Sequence, residues 1–158
     1  MAGLCRAAFN TGAFVIDSGL GTSIERFCLR KGVMLLGVCP EAEVDYPRLN
    51  PANRTTNELA NGHSHFFSIG KEKGKGLALK WGQETPLKFD LAKRISIGRK
   101  GGYGSTNAPQ CKILTVVIGD NEPQAVADME MAMNMKLPIM VLEGSPLCNS
   151  ICSELHKR

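Results

Sequence analysis

Short apolar runs alternate with amphipathic stretches along most of the chain. "AFVI" (13–16) is bounded by Gly12 and an Asp-Ser-Gly turn, and "VMLLGVCP" (33–40) is closed by Pro40. Runs of this length between turn residues predict buried parallel strands. Between them "TSIERFCLRKG" predicts a short helix, with Thr22 as cap, Glu25 completing a capping box, Gly32 as stop, and Ile24, Phe27 and Cys28 on one face. Residues 40–62 are polar and rich in Pro, Asn and Thr, which predicts a long surface loop. "HSHFFSIG" (63–70) is a third strand candidate. "KEKGKGLALKWG" is a connector to a helix capped by Thr85, opened by Pro86, with Leu87, Leu91 and Ile95 at four-residue spacing.

The Gly-rich "GRKGGYGSTNAPQ" leads to "KILTVVIG", the clearest apolar run. In "PQAVADMEMAMNMK" the methionines alternate with period two, yet Val126, Met129, Ala132 and Met133 share a helical stripe. Ala and Met favour helix and Pro123 suits a first turn, so a helix is predicted. "LPIMVLEGS" predicts a fifth strand. Leu147, Cys148, Ile151, Cys152 and Leu155 predict a closing amphipathic helix. Strands alternating with helices give an α/β class: a Rossmann-like three-layer domain with a mainly parallel sheet of about five strands, spanning 1–158 as one domain. Ligands of such sheets gather at the carboxyl ends of the strands, here the loops after Ile16, Ile118 and Leu142.

Composition changes this picture little. The 158 residues are 43% hydrophobic and 22% charged, enough for a packed core without covalent staples. A net charge of +4 reads as solubility, because the Lys-rich segments lack interleaved aromatics, so no nucleic-acid partner is expected. Six cysteines without a C-x-x-C, several in apolar surroundings, fit buried thiols in a reducing, cytoplasmic compartment. No run is long enough to insert into a membrane.

Three places carry candidate chemistry. Asp17 to Thr22 forms a strand-turn-helix junction in which Ser18, Gly19, Gly21 and Thr22 could present N–H groups to an anion. Asp17 and Glu25 put negative charge there, and a capped βα turn is the competing reading. On the same predicted edge, Asp120, Asn121 and Glu122 offer oxygens for a divalent cation, with Asp17 as a further ligand candidate; an Asx turn before a helix is the plainer account. His63 and His65, two apart, would face one side of a strand and could begin a zinc site or be hydrogen-bonded residues at a strand entrance. Cys148 and Cys152 sit one helical turn apart as packed thiols, and Ser18 lacks a nucleophile-elbow frame.

"TGAFVIDSGLGTSIERF", "NGHSHFFSIG" with "WGQETPLKFDLAKRI", and "ILTVVIGDNEPQAVADMEMAMNMKLPIMVLEGS" resemble, in order, the SLOG/LSDAT domain of melastatin-type (TRPM) cation channels, a distant relative of LOG and lysine-decarboxylase-like proteins. The resemblance covers most of residues 11–151 and implies a nucleotide-related Rossmann-like scaffold; if a ligand site is retained, the loops after the strands would supply it through Ser18, Gly19, Gly21, Thr22, Asp120, Asn121, Gly144 and Ser145. It places His63 and His65 at a structural strand entrance and Glu84 at the head of a helix. The departures are specific. Asp17-Ser18-Gly19 stands where the family has T-G-G, Ser23 where it has a later Gly, and Asp120-Asn121 where it has Gly-Gly. The hydrolytic signature of the LOG relatives is absent, and the family's first strand has almost no room before "TGAF". The expectation is a non-catalytic module that assembles with protein partners around a degenerate nucleotide site. Alternatives are an ADP-ribose-like ligand sensor, assisted by a divalent cation, and last an N-glycosidic hydrolase.

Overall fold

A computed structural model describes residues 2–21, 23–46, 57–70, 78–98, 111–118 and 123–156, which fall into two compact units, Met1–Glu84 and Thr85–Arg158. The first unit opens with helix α1 (Ala2–Thr11), strand β1 (Val15–Asp17), helix α2 (Ser23–Leu29) and strand β2 (Leu35–Pro40). A single 3-10 turn (Glu41–Glu43) follows, and strand β3 (His65–Ile69) completes the sheet. The strand order is β1-β2-β3, all parallel, with Val15 opposite Leu35 and Leu36 opposite His65. β2 is buried at all six positions because it is the middle strand, which is why an unbroken apolar run specifies it.

Helix α2 ends where the sequence places its stop. Gly32 takes a positive φ of 69°, a conformation that costs a residue with a Cβ, and its N–H and that of Val33 bond back to Leu29 and Cys28. Cys5, Ala8, Cys28, Val33 and Leu35 form the core between α1, α2 and the sheet, with Val15 and Phe27 packed against it. Of the expected loop over 40–62, residues 47–56 lie outside the described residues, and the rest is more than surface. Leu59, Ala60 and Glu58 are buried, and single bridges join Leu20 to Leu59 and Asp45 to Glu58. The backbone groups after β1 are therefore paired by the segment preceding β3.

The second unit contains α3 (Thr85–Ile97), β4 (Thr115–Val117), α4 (Pro123–Asn134), β5 (Ile139–Val141) and α5 (Pro146–His156). β4 and β5 pair in parallel, Thr115 opposite Ile139. The expected single sheet of about five strands is thus corrected: among the described residues the five strands form a parallel three-strand sheet and a separate parallel two-strand sheet. An apolar run does not specify which strand it pairs with, and each of β4 and β5 is only three residues long and partly exposed.

Two predicted stripes shift. On α3 the buried side chains are Thr85, Lys88 and Phe89, while Leu87 is exposed. The cause is Asp128 of α4, which accepts from Thr85 Oγ1 at 2.6 Å and Lys88 Nζ at 2.7 Å and so turns a polar face inward. Thr85 therefore sends its hydroxyl across to α4 instead of serving only as a cap. On α4 Ala132 is fully buried but Met133 is exposed, so the stripe is narrower than the apolar letters imply. Helix α5 buries Leu147 as expected.

Candidate functional site

β1 ends at Asp17, and the chain turns at once through Ser18 and Gly19. Asp17 Oδ1 accepts the Gly19 N–H at 2.7 Å, closing an Asx-type turn on its own backbone. Gly19, with φ of 79°, then gives its carbonyl to Ala60 N at 2.9 Å. The turn is tightly enclosed: a Cβ on Gly19 would lie 3.1 Å from the Phe66 ring, and one on Gly37 would lie 2.7 Å from the Gly19 Cα. Gly37 in the middle of β2 is what lets the turn sit so close to the sheet.

His63 reaches the same carboxylate. Its Nε2 is 2.7 Å from Asp17 Oδ1, its side chain is fully buried, and its Nδ1 is 3.4 Å from the Ala60 carbonyl. Burial opposes charge on the ring, but the Asp17 hydrogen bond and charge, the Ala60 carbonyl and the Glu25 charge outweigh it and raise the imidazole above its ordinary 6.5. The ring also packs against Phe66, centroids 5.2 Å apart. Glu25, in the first turn of α2, accepts the Gly62 N–H at 3.0 Å. Both carboxylates that the sequence places near the turn are thus engaged with backbone amides. The second oxygen of Asp17 is buried and has no hydrogen-bond partner among the described residues.

The expectation that His63 and His65 share one side of a strand is corrected. His63 precedes β3 and turns inward to Asp17, whereas His65 is exposed, with Nδ1 near Ser64 Oγ at 3.2 Å. Among the described residues no three His, Cys, Asp or Glu side chains gather as a metal site. In the second unit Ser145 caps α5: its Oγ accepts from Cys148 N at 3.2 Å and donates to the Leu142 carbonyl at 2.9 Å. Gly144 precedes it with φ of 83°. Thr22, Asp120 and Asn121 lie outside the described residues, as does the capping bond expected of Thr22.

Glu84, expected at the head of a helix, sits just before α3 and is fully buried, its Oε2 accepting the Gly82 N–H at 2.7 Å. Burial and then the Glu84 charge push the thiol of Cys39, near the end of β2, above its ordinary range. A groove of about 280 Å³ lies elsewhere, at the amino ends of β1 and β2, lined by Phe9, Phe14, Val33 and Met34 among others and by no polar side chain. It is remote from the turn in the topology and carries none of its chemistry. No helix among the described residues is long and apolar enough to cross a membrane.

The pairing of Asp17 with His63 has no local signature, since 46 residues separate them. "GHSHF" marks an unusual strand entrance but not its partner.

Compared with known families, the chain matches the one described as SLOG in TRPM, prokaryote, over residues 1–157, and it therefore belongs to that SLOG/LSDAT family, whose domains are Rossmann-like.

Proposed function

We propose that this SLOG-type domain is a non-catalytic assembly module, acting through protein contacts around a nucleotide turn that is closed from within. One observation carries the reading: the Gly19 N–H, which a phosphate would need, is held by the Asp17 carboxylate at 2.7 Å. A phosphoryl group placed there meets a carboxylate at close range. At about 4 Å and an effective dielectric of about 20, each unit charge is opposed by roughly 4 kcal/mol while His63 is neutral, and by less where its imidazolium pairs with Asp17. The helix end offers roughly 0.3–1 kcal/mol in return, and α2 is only seven residues long. Repulsion wins. Ser145 is similarly committed to its own helix. Exposed Phe9, Phe14 and Met34 around the apolar groove supply the kind of surface that protein contacts use.

Calorimetry of the full chain with ADP-ribose and related nucleotides should give no saturable heat, and assays with nucleoside monophosphates should give no turnover. Analytical ultracentrifugation and pull-downs should show self-association or a retained partner. Tight nucleotide binding would overturn the closed turn; a lone monomer with no partner would overturn assembly.

A second reading, sensing of an ADP-ribose-like ligand, has the buried Asp17 Oδ2 in its favour. An acceptor without a donor suits a ribose hydroxyl or a cation better than a phosphate. Ribose-containing ligands would then bind where inorganic phosphate does not.

A further inference from the structure

Cys5 of α1 and Cys28 of α2 bring their sulfurs to 3.0 Å, and both side chains lie inside the core, 1% and 0% exposed. We propose that this pair is a modification site, forming an intramolecular disulfide with two-electron thiol oxidants such as a low-molecular-weight disulfide, and so tying α1 covalently to α2.

The two sulfurs need approach by only about 1 Å to reach the bond length of about 2.05 Å. Cys39 and Cys111 are placed differently: Cys39 is buried with Ser68 and Glu84 as its neighbours in charge and hydrogen bonding, and Cys111 is exposed, its Sγ 4.0 Å from the Ile95 carbonyl. The chemistry is thiol–disulfide exchange. One protein thiol gives up its proton to solvent and its sulfur attacks the small disulfide, forming a mixed disulfide and releasing one small thiol. The second cysteine then loses its proton, attacks the protein sulfur of that mixed bond, and expels the second small thiol. Two protein thiols are oxidised and one small disulfide is reduced, so electrons and protons balance.

The same core makes the reaction slow. Burial, then the hydrogen bond and charge of Cys5, then the charge of Asp17, push the Cys28 thiol up to about 12, so little thiolate exists at neutral pH. Exchange waits on α1 lifting from α2, and the bond once made is shielded from reductant by the same packing. Because α2 starts just past the glycine turn and carries Glu25 against Gly62, the crosslink would fix the helix that frames the turn. This inference stands independently of the assembly reading.

The test uses the full chain, equilibrated in glutathione redox buffers, both folded and during refolding from denaturant, then quenched in acid. Intact mass should fall by two hydrogens, titratable thiols of the denatured protein should fall from the six of the sequence by two, and peptide mapping should join Cys5 to Cys28. Circular dichroism should be retained, the thermal midpoint should rise, and dithiothreitol added in denaturant should restore the original mass and thiol count. Cys5→Ala and Cys28→Ala should each abolish the linkage, while the map of the unsubstituted chain stands even if a variant folds poorly. A chain that stays fully reduced in the most oxidising buffer, that carries only glutathione adducts, or that links other cysteines instead would overturn the proposal.

Discussion

His63 Nε2 stands 2.7 Å from Asp17 Oδ1, and that one oxygen also receives the Gly19 N–H, so the imidazole, the strand end and the glycine turn share a single acceptor. Since the folded protein holds the ring above 6.5, folding favours the imidazolium. The contribution of the pair is fully present below pH 6.5 and is lost as pH rises through the higher folded-state value. Urea midpoints measured on both sides of that range should fall with rising pH, and His63→Gln should remove the step. Asp17→Ala leaves a buried imidazole that sheds its proton and lacks its hydrogen-bond acceptor, and should cost about 1–3 kcal/mol. A profile identical in the unsubstituted chain and the His63 variant would show that the ring titrates alike in both states.

Gly37→Ala should destabilise the first unit although β2 would accept alanine on propensity alone. The new Cβ would stand 2.7 Å from the Gly19 Cα and 2.8 Å from the Phe66 ring. Backbone cannot yield as a side-chain tip can, so about 1–3 kcal/mol should be lost in chemical denaturation. Adding Phe66→Ala should not restore stability, because the Gly19 contact stays and a ring is lost.

The elements were legible in the letters to the extent that burial is local. β2, buried at all six positions, is the clear case, and Gly32 stops α2; β1 is only half-buried and β3 is exposed at four of five positions, so burial did not mark them. The sequence reading predicts no element over residues 2–11, although Cys5 and Ala8 recur at a helical spacing of three. Sheet partnership and the His63–Asp17 contact were not legible, because both depend on which strands lie side by side. The acidic character of the glycine turn was readable; that Asp17 would bind its own backbone and a histidine 46 residues away was not.

Asp128 should matter more than any charge on the exposed face of α3. It is the acceptor for both Thr85 Oγ1 and the nearly buried Lys88 Nζ. Asp128→Ala should cost about 1.5–3 kcal/mol in urea denaturation, the range for hydrogen bonds to charged groups. Arg94→Ala, which removes the exposed i,i+4 pair with Asp90, should leave the midpoint unchanged. Equal effects from the two would mean that the Asp128 contacts are as solvated as the surface pair.

Gly19 and Gly21 look equivalent as probes of a ligand at this turn, but the structure separates them. Any side chain at Gly19 inherits a φ of 79° and lies 3.1 Å from Phe66 and 3.3 Å from the Gly37 Cα. A Gly19 variant that failed to bind would therefore report a damaged fold. At Gly21 a Cβ would meet only Glu25 Oε2 at 3.8 Å and Ala60 Cβ at 4.0 Å, ordinary contact distances. Gly21→Ala should hold stability within about 0.5 kcal/mol. If the turn is closed, that variant should also leave self-association or partner retention untouched and show no nucleotide heat, like its parent. Should the parent bind ADP-ribose and Gly21→Ala lose the heat while melting normally, the turn is an open ligand site and the assembly reading fails at its root.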